Sequence, residues 1–174
     1  MTSEHDASVL KERARRLASV ASPAEATVPL HVVAFQLGVE QYAIETVWVQ
    51  QVCPLKSLTP VPNAARFFIG VTSLRGRIVS VVDLRTFFDL PDTGRSGWNR
   101  LVVIAHESIV AGILADQVLA GQSIDGRVLT TNLATHAGIR TQYLRGVTTE
   151  GLIVLDAARL MADQRLFGFG SQDV

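Results

Sequence analysis

Gly70-Val71-Thr72-Ser73-Leu74-Arg75-Gly76-Arg77-Ile78-Val79-Ser80-Val81-Val82-Asp83-Leu84-Arg85 is the stretch that decides the fold of this chain. It opens on a short apolar segment, turns at Leu74-Arg75-Gly76 and enters a β-branched strand from Ile78 to Val82. Asp83 stands where a helix N-cap would stand, ahead of Leu84 to Phe88. Gly76 suits a turn position with φ > 0, and the turn pushes Arg75 outward. A weaker copy begins 76 residues later: Gly146-Val147-Thr148-Thr149-Glu150-Gly151-Leu152-Ile153-Val154-Leu155-Asp156, followed by Ala157 to Met161. Both copies read Gly-Val-Thr, turn, Gly, apolar strand, Asp, short helix. A supersecondary unit repeated at about half the chain length predicts two related halves.

The 174 residues suffice for one domain or two small ones. At 48% hydrophobic and 18% charged the chain is globular. Gly and Pro spread between short apolar runs predict an all-β body. The 16 basic and 16 acidic side chains cancel. The chain therefore lacks the basic excess of a nucleic-acid binder and offers no general attraction for an anionic membrane. Cys53 has no intramolecular partner, and no Cys/His spacing suits zinc. Met1 to Ser22 lacks the apolar core of a secretory signal, and no run of 18 apolar residues spans a bilayer. These absences point to the cytosol.

Residues 1–29 differ from the rest. Asp6 can cap a helix from Ala7 to Val20, with Leu10, Ala14, Leu17 and Ala21 on one face. Ser22 to Pro29 reads as a linker. From Leu30 the β pattern begins: a strand at Val32–Leu37, a hairpin turn at Gly38–Gln41, then Tyr42–Ile44 and Val47–Val52. Simple alternation puts Val47, Val49 and Gln51 on one side of that last strand and Trp48, Gln50 and Val52 on the other. Pro54, Pro60 and Pro62 break a loop. Pro91 to Asn99 is the expected boundary between the halves. Leu101–Ala105 is an unbroken apolar run and predicts a strand buried on both faces. Strands at Ile109–Leu114, Val118–Ile124, Gln142–Val147 and Leu152–Leu155 follow. Asp156 caps a closing helix, 157–164, with Ala157, Leu160, Met161 and Gln164 on one side.

No catalytic constellation emerges. His5, His31, His106 and His136 are scattered. His106-Glu107 reads as a turn pair and Cys53 as a packed bystander. Gly-x-Ser-x-Gly, phosphate-loop and dinucleotide fingerprints are absent. Asp83 and Asp156 share the context of strand then helix, so they read as repeated N-caps and not as a carboxylate pair. The chain is expected to be no enzyme and to use no cofactor or metal. The exposed features left are Arg75 on its turn, Arg85 near the short helix, and the Val49/Gln51 strand face.

Taken together these residues resemble the CheW family of chemotaxis coupling proteins, from about Leu30 to Gln164. The strongest part is Gly-Val-Thr-x-Leu-Arg-Gly-x-Ile-Val-x-Val-Val-Asp-Leu-Arg at 70–85. Phe35-x-Leu-Gly-x-x-x-Tyr-Ala-Ile at 35–44, Val102-Val103-Ile104 with Gly112, and Leu152–Leu155 support it. The resemblance implies two SH3-like five-stranded β-barrels around a shared apolar interior. On this chain that gives a domain over 30–165, with a first barrel at 38–92, a second at 99–156 plus the 31–37 strand, and the closing helix. Residues 1–29 form a helical extension and linker, and 166–174 a tail.

The resemblance further implies binding without catalysis. Family members join the cytoplasmic hairpin tip of a chemoreceptor, a methyl-accepting chemotaxis protein, to the CheA-type histidine kinase, whose regulatory domain they resemble. Partner contact then falls on Val49, Gln51, Leu74, Arg75 and Gly76, with Gly70 shaping the approach. No nucleic acid and no membrane insertion is implied. Ser73 stands where the family commonly has asparagine, Ser80 where it has proline, and Gln51 where it has glutamate. Those departures raise the alternative of an adaptor in a specialised, non-flagellar chemosensory pathway.

Overall fold

The computed structural model describes residues 29–91, 100–131 and 139–167. The expected N-terminal helix and linker, most of the Pro91–Asn99 connection, and the tail beyond 167 lie outside these residues. Ten strands form two five-stranded sheets. In chain order they are β1 Pro29–Leu37, β2 Glu40–Glu45, β3 Val49–Pro54, β4 Phe68–Leu74, β5 Arg77–Val82, β6 Arg100–His106, β7 Ile109–Ala115, β8 Gln117–Asp125, β9 Leu144–Val147 and β10 Ile153–Leu155. Three short helices, α1 Leu84–Phe87, α2 Ala157–Ala162 and α3 Gln164–Phe167, cover strand ends.

One sheet runs β8-β1-β2-β10-β9 and the other β3-β6-β7-β5-β4. The two orders correspond position by position, each with one parallel pair: β10 with β2, and β5 with β7. The sequence repeat is therefore a spatial repeat. Each sheet combines a hairpin from one half of the chain with three strands from the other. This corrects the expected division: β2 joins β1 and not the 38–92 segment, and β6–β7 join β3–β5 and not the 99–156 segment. Local patterning names strands but does not say which hairpin pairs across the repeat.

The cores explain the run of apolar residues. Phe35, Leu37, Tyr42 and Ile44 from the first sheet meet Val82, Val102, Ile104 and Ile113 from the second in one shared core. The opposite face of each sheet carries a smaller core: Val32, Ala34, Ala43 and Val154 on one, Val81, Leu101, Val103 and Leu114 on the other. β6 is thus buried on both faces, as its unbroken apolar sequence predicts. Aromatic rings bridge the halves, with the Tyr143 ring tilted against Phe87 at 5.4 Å and Phe88 at 6.0 Å.

The repeated Gly-Val-Thr has a physical cause. Thr59 and Val71 exchange two backbone hydrogen bonds of 2.8 Å, and Thr130 and Val147 do the same at 2.9 and 3.1 Å. The chain leaving β3 or β8 thereby reaches the strand at the far edge of its own sheet. Gly70 precedes the first bridge, and a Cβ there would sit 2.3 Å from the Thr59 carbonyl oxygen. Gly146 precedes the second, where a Cβ would lie 2.8 Å from Leu129 Cβ. The aspartates also match. Asp83 N–H donates to Phe67 O and Asp156 N–H to Tyr143 O, both at 2.7 Å. Asp83 accepts from Arg85 N–H and Asp156 from Arg159 N–H, so both are N-caps as expected.

Two further expectations need correction. Gln142 and Tyr143 end a 3-10 turn, and the strand starts only at Leu144. The closing helix stops at Ala162, Asp163 adopts an extended φ and ψ, and α3 starts anew, which leaves Gln164 exposed. Asp163 caps that new start by accepting from Arg165 N–H at 2.8 Å, an alternative that competes with helix continuation.

Candidate functional site

The hairpin β4–β5 has a two-residue turn, with Leu74 paired to Arg77. Arg75 has φ 50° and Gly76 φ 79°. Positive φ at both central residues is the type I′ requirement, whose twist matches the flanking strands. Gly76 meets it without strain, whereas Arg75 holds a left-handed conformation that costs a residue with a Cβ roughly 1 kcal/mol. Both residues are exposed. Among the described residues no carboxylate pairs with Arg75 or with its neighbour Arg77. Two planar guanidinium-bearing chains therefore stand open at the tip.

Register places other segments beside this turn. β5 and β7 run parallel, so their starting residues Arg77 and Ile109 lie at one end of the sheet. β6 ends there at His106, and β3 begins there with Val49 opposite Ile104. A 3-10 turn, Thr46–Trp48, carries the chain from β2 into β3 at the same end. It takes the place of the expected start of the strand, so Val47 leaves the β alternation and is 81% exposed. Trp48 packs on the His106 ring at 4.8 Å. Ile78, the second residue of β5, is 78% exposed. The structure thus gathers Val49, Leu74, Arg75 and Gly76 at one end of one sheet and adds Val47 and Ile78, which the sequence reading did not select. Their signal was available: both are apolar and sit next to a turn.

Gln51 does not follow simple alternation. Between Val49 and Gln51 the ladder advances two residues on β3 and one on β6, a β-bulge at Gln50. Val49 pairs with Ile104 and packs on the shared core. Gln51 pairs with Val103, of the sheet's smaller core, and its Nε2 lies 3.9 Å from Cys53 Sγ. The expected shared face of Val49 and Gln51 is therefore split by one inserted residue. Leu74, by contrast, packs on the same smaller core as Cys53. Gly70 is buried and acts through the Thr59 contact, one strand length from the tip.

Among the described residues no His, Cys, Asp and Glu cluster could hold a metal. Asp83 is committed to its cap and to Arg85 Nε at 3.1 Å, so it is no general acid or base. Cys53 is half-buried, packed between apolar side chains. Exposed apolar side chains beside unpaired arginines suit a partner that offers both an apolar stripe and carboxylates.

A family model described as the CheW-like domain matches residues 31–165. Chemotaxis protein CheW of Klebsiella aerogenes is 29% identical over 153 residues, covering 86% of this chain and 92% of that protein. Chemotaxis protein CheW of Treponema pallidum is 29% identical over 141 residues, covering 77% and 83% respectively. Among solved structures, the scaffolding protein TtCheW from Thermoanaerobacter tengcongensis superposes with a TM-score of 0.64 at 26% identity, over 76% of this chain and 87% of that one.

Proposed function

The chain belongs to the CheW-like domain family, and on that footing we propose that it is a non-catalytic chemotaxis scaffold that couples chemoreceptors to a CheA-type histidine kinase. The receptor contributes its cytoplasmic hairpin tip and the kinase its regulatory domain. The setting is the cytoplasm; no described helix is long and apolar enough to cross a membrane. The specialised-pathway reading is not favoured, since the similar proteins named above are chemotaxis proteins and a scaffold.

One observation carries the receptor surface: an arginine held open at φ 50° on a tight turn, beside half-buried Leu74 and at the same end of the sheet as half-buried Val49. A helical hairpin laid against this end would bury Val49 and Leu74 and place a carboxylate or carbonyl in the Arg75 fork. Gly76 keeps the approach clear, as nothing lies within 4 Å of a Cβ built there. Gly70 fixes the base of the hairpin, and Gln51 borders the surface on its smaller-core side.

The test is binding of a receptor-tip fragment by wild type and Arg75→Ala. Affinity should fall about tenfold, the scale of a lost charged hydrogen bond. The melting temperature should hardly move, because an exposed substitution stays within about 0.5 kcal/mol. A large loss of stability with unchanged binding would assign Arg75 to the fold instead.

A further inference from the structure

The chain crosses between its sheets twice, at opposite ends. The 3-10 turn Thr46–Trp48 joins β2 to β3 beside the proposed partner surface. Asp116 alone joins β7 to β8 at the other end. At that second crossing the two sheets are tied by a polar cluster. Arg85, on α1, donates from Nη1 to Asp116 Oδ1 at 3.0 Å and from Nε to Asp83 Oδ1 at 3.1 Å. Asp116 Oδ2 accepts from Gly38 N–H at 2.6 Å, in the turn between β1 and β2. Asp116 N–H donates to Gln36 O at 3.0 Å, and Gln36 Nε2 donates to Gly38 O at 2.9 Å. The side chains of Arg85 and Asp116 are 15% and 14% exposed, so water screens the pair little.

Among the described residues the second half shows no such tie. Arg159, at the matching α2, is 63% exposed and reaches its own cap Asp156 and the Gln142 carbonyl. We infer that the Arg85–Asp116–Gly38 contact is a clamp that sets the angle between the two sheets, and that Arg85 and Asp116 are thereby positioning residues for the partner surface at the far end. The geometry supports this directly. Asp83 and α1 belong to the second sheet, Gly38 to the first, and Asp116 holds both. Turning one sheet on the other at this end displaces β2 and the exposed Val47 of the crossing turn relative to Val49 and the Arg75 turn, which share the second sheet. The consequence for binding rests on the coupling reading above; the clamp itself does not.

The experiment uses the full chain as wild type, Arg85→Gln, Asp116→Asn and Arg75→Ala. Residual dipolar couplings of backbone amides read the relative orientation of the sheets. Titration with a chemoreceptor hairpin-tip fragment reads binding. In Arg85→Gln each sheet should keep its own geometry while their relative orientation shifts, and the dissociation constant should rise about tenfold. Asp116→Asn keeps an oxygen for Gly38 N–H and should show a smaller shift in the same direction. Arg75→Ala should lose affinity with the orientation unchanged. Wild-type orientation in both clamp variants overturns the clamp, and a shifted orientation with unchanged affinity overturns the positioning role. If Arg85→Gln fails to fold, Asp116→Asn decides by the same criteria. A wild-type chain that does not bind the fragment sinks the coupling reading, and the orientation measurement then sustains or overturns the clamp alone.

Discussion

The β4–β5 and β9–β10 hairpins hold matching edge positions in their sheets, yet only the first projects. Asp83 lies 16 positions beyond Phe67, whereas Asp156 lies 13 beyond Tyr143. The first hairpin spends the difference on extra ladder, pairing Ser73 with Ile78 and Leu74 with Arg77 before a two-residue turn. The second closes early through Thr148, whose N–H donates to Leu152 O and whose Oγ1 accepts from Leu152 N–H. What the two share, the glycine, the bridge and the capping aspartate, builds the sheets. What only the first has, the extended tip with Arg75, is where the proposed partner surface lies. Duplication supplies the scaffold, and departure from it supplies the tip on which the proposed surface rests.

The largest effect should come from the glycines that both copies share. Ala at position 70 would bring Cβ within 2.3 Å of a backbone oxygen, 2.9 Å of its carbon and 3.0 Å of Pro60 Cα, at φ 153°. Backbone cannot swing aside as a side-chain end can. Gly70→Ala should cost about 3 kcal/mol or more, combining overpacking with backbone strain. At Gly146 the obstacle is chiefly Leu129 Cβ at 2.8 Å, and Gly146→Ala should cost about 1–2 kcal/mol as that loop yields. Urea unfolding of both variants checks the ranking. Equal losses would mean that the two bridges are equally rigid and that the copies differ less than the contacts indicate.

Much of this was legible in the chain. Gly-Val-Thr recurs because each glycine admits a bridging chain segment, so a local motif carried a tertiary fact. The N-caps were legible because the side chain needed sits next to the groups it satisfies. Three features were not. The exchange of hairpins between sheets depends on pairings across more than 60 residues, such as Tyr42 with Ile153, and no local period encodes it. The bulge at Gln50 shifts a face by inserting one residue into a run that still alternates half-buried with exposed. The clamp joins Gly38, Arg85 and Asp116, three residues that sequence scatters and only the sheet ends assemble.

A middle-sized effect separates the copies by pH. Tyr143 matches Phe67 in position, but its hydroxyl donates to Asp163, a partner that Phe67 cannot have. The Arg165 guanidinium, which donates to Asp163 at 2.7 Å, is the main cause that holds the carboxyl down to about 2, with Tyr143 adding to it. A depressed carboxyl stabilises the fold above its unfolded pKa, near 4, and loses that contribution as pH falls through about 2. The contribution is on the order of 2 kcal/mol. Burial, and then Asp163, push the Tyr143 hydroxyl up, so the same cluster weakens again as pH rises above about 10. Tyr143→Phe makes this half resemble the other. Its stability between pH 4 and 2 should fall less steeply than that of wild type, read by urea midpoints across that range. An unchanged slope would leave Arg165 as the whole cause.

The smallest effect concerns Gln51, where the bulge sharpens the question. Gln51 faces the smaller core with Cys53, and Leu74 at the base of the tip packs on that same core from the opposite edge of the sheet. Gln51→Glu keeps the shape, exchanges an NH₂ donor for a second acceptor and adds a charge at a half-buried position. The Cys53 contact at 3.9 Å is weak, so its loss should change stability by less than about 0.5 kcal/mol. Binding is the more sensitive reading. A carboxylate on the smaller-core face that also carries Leu74 would meet a cationic partner group, and a charged hydrogen bond contributes roughly 1.5–3 kcal/mol against about 1 for a neutral one. Gln51→Glu should therefore strengthen binding to receptor or kinase from a chemotaxis system whose own coupling protein carries glutamate there, more so at low salt than at high. Binding to the partners of this chain should stay level or weaken. Titrations against both partner sets at two salt concentrations separate the outcomes. If neither affinity nor salt dependence moves for either set, position 51 lies outside the interface, and the surface reduces to the tip, Val49 and the apolar residues between them.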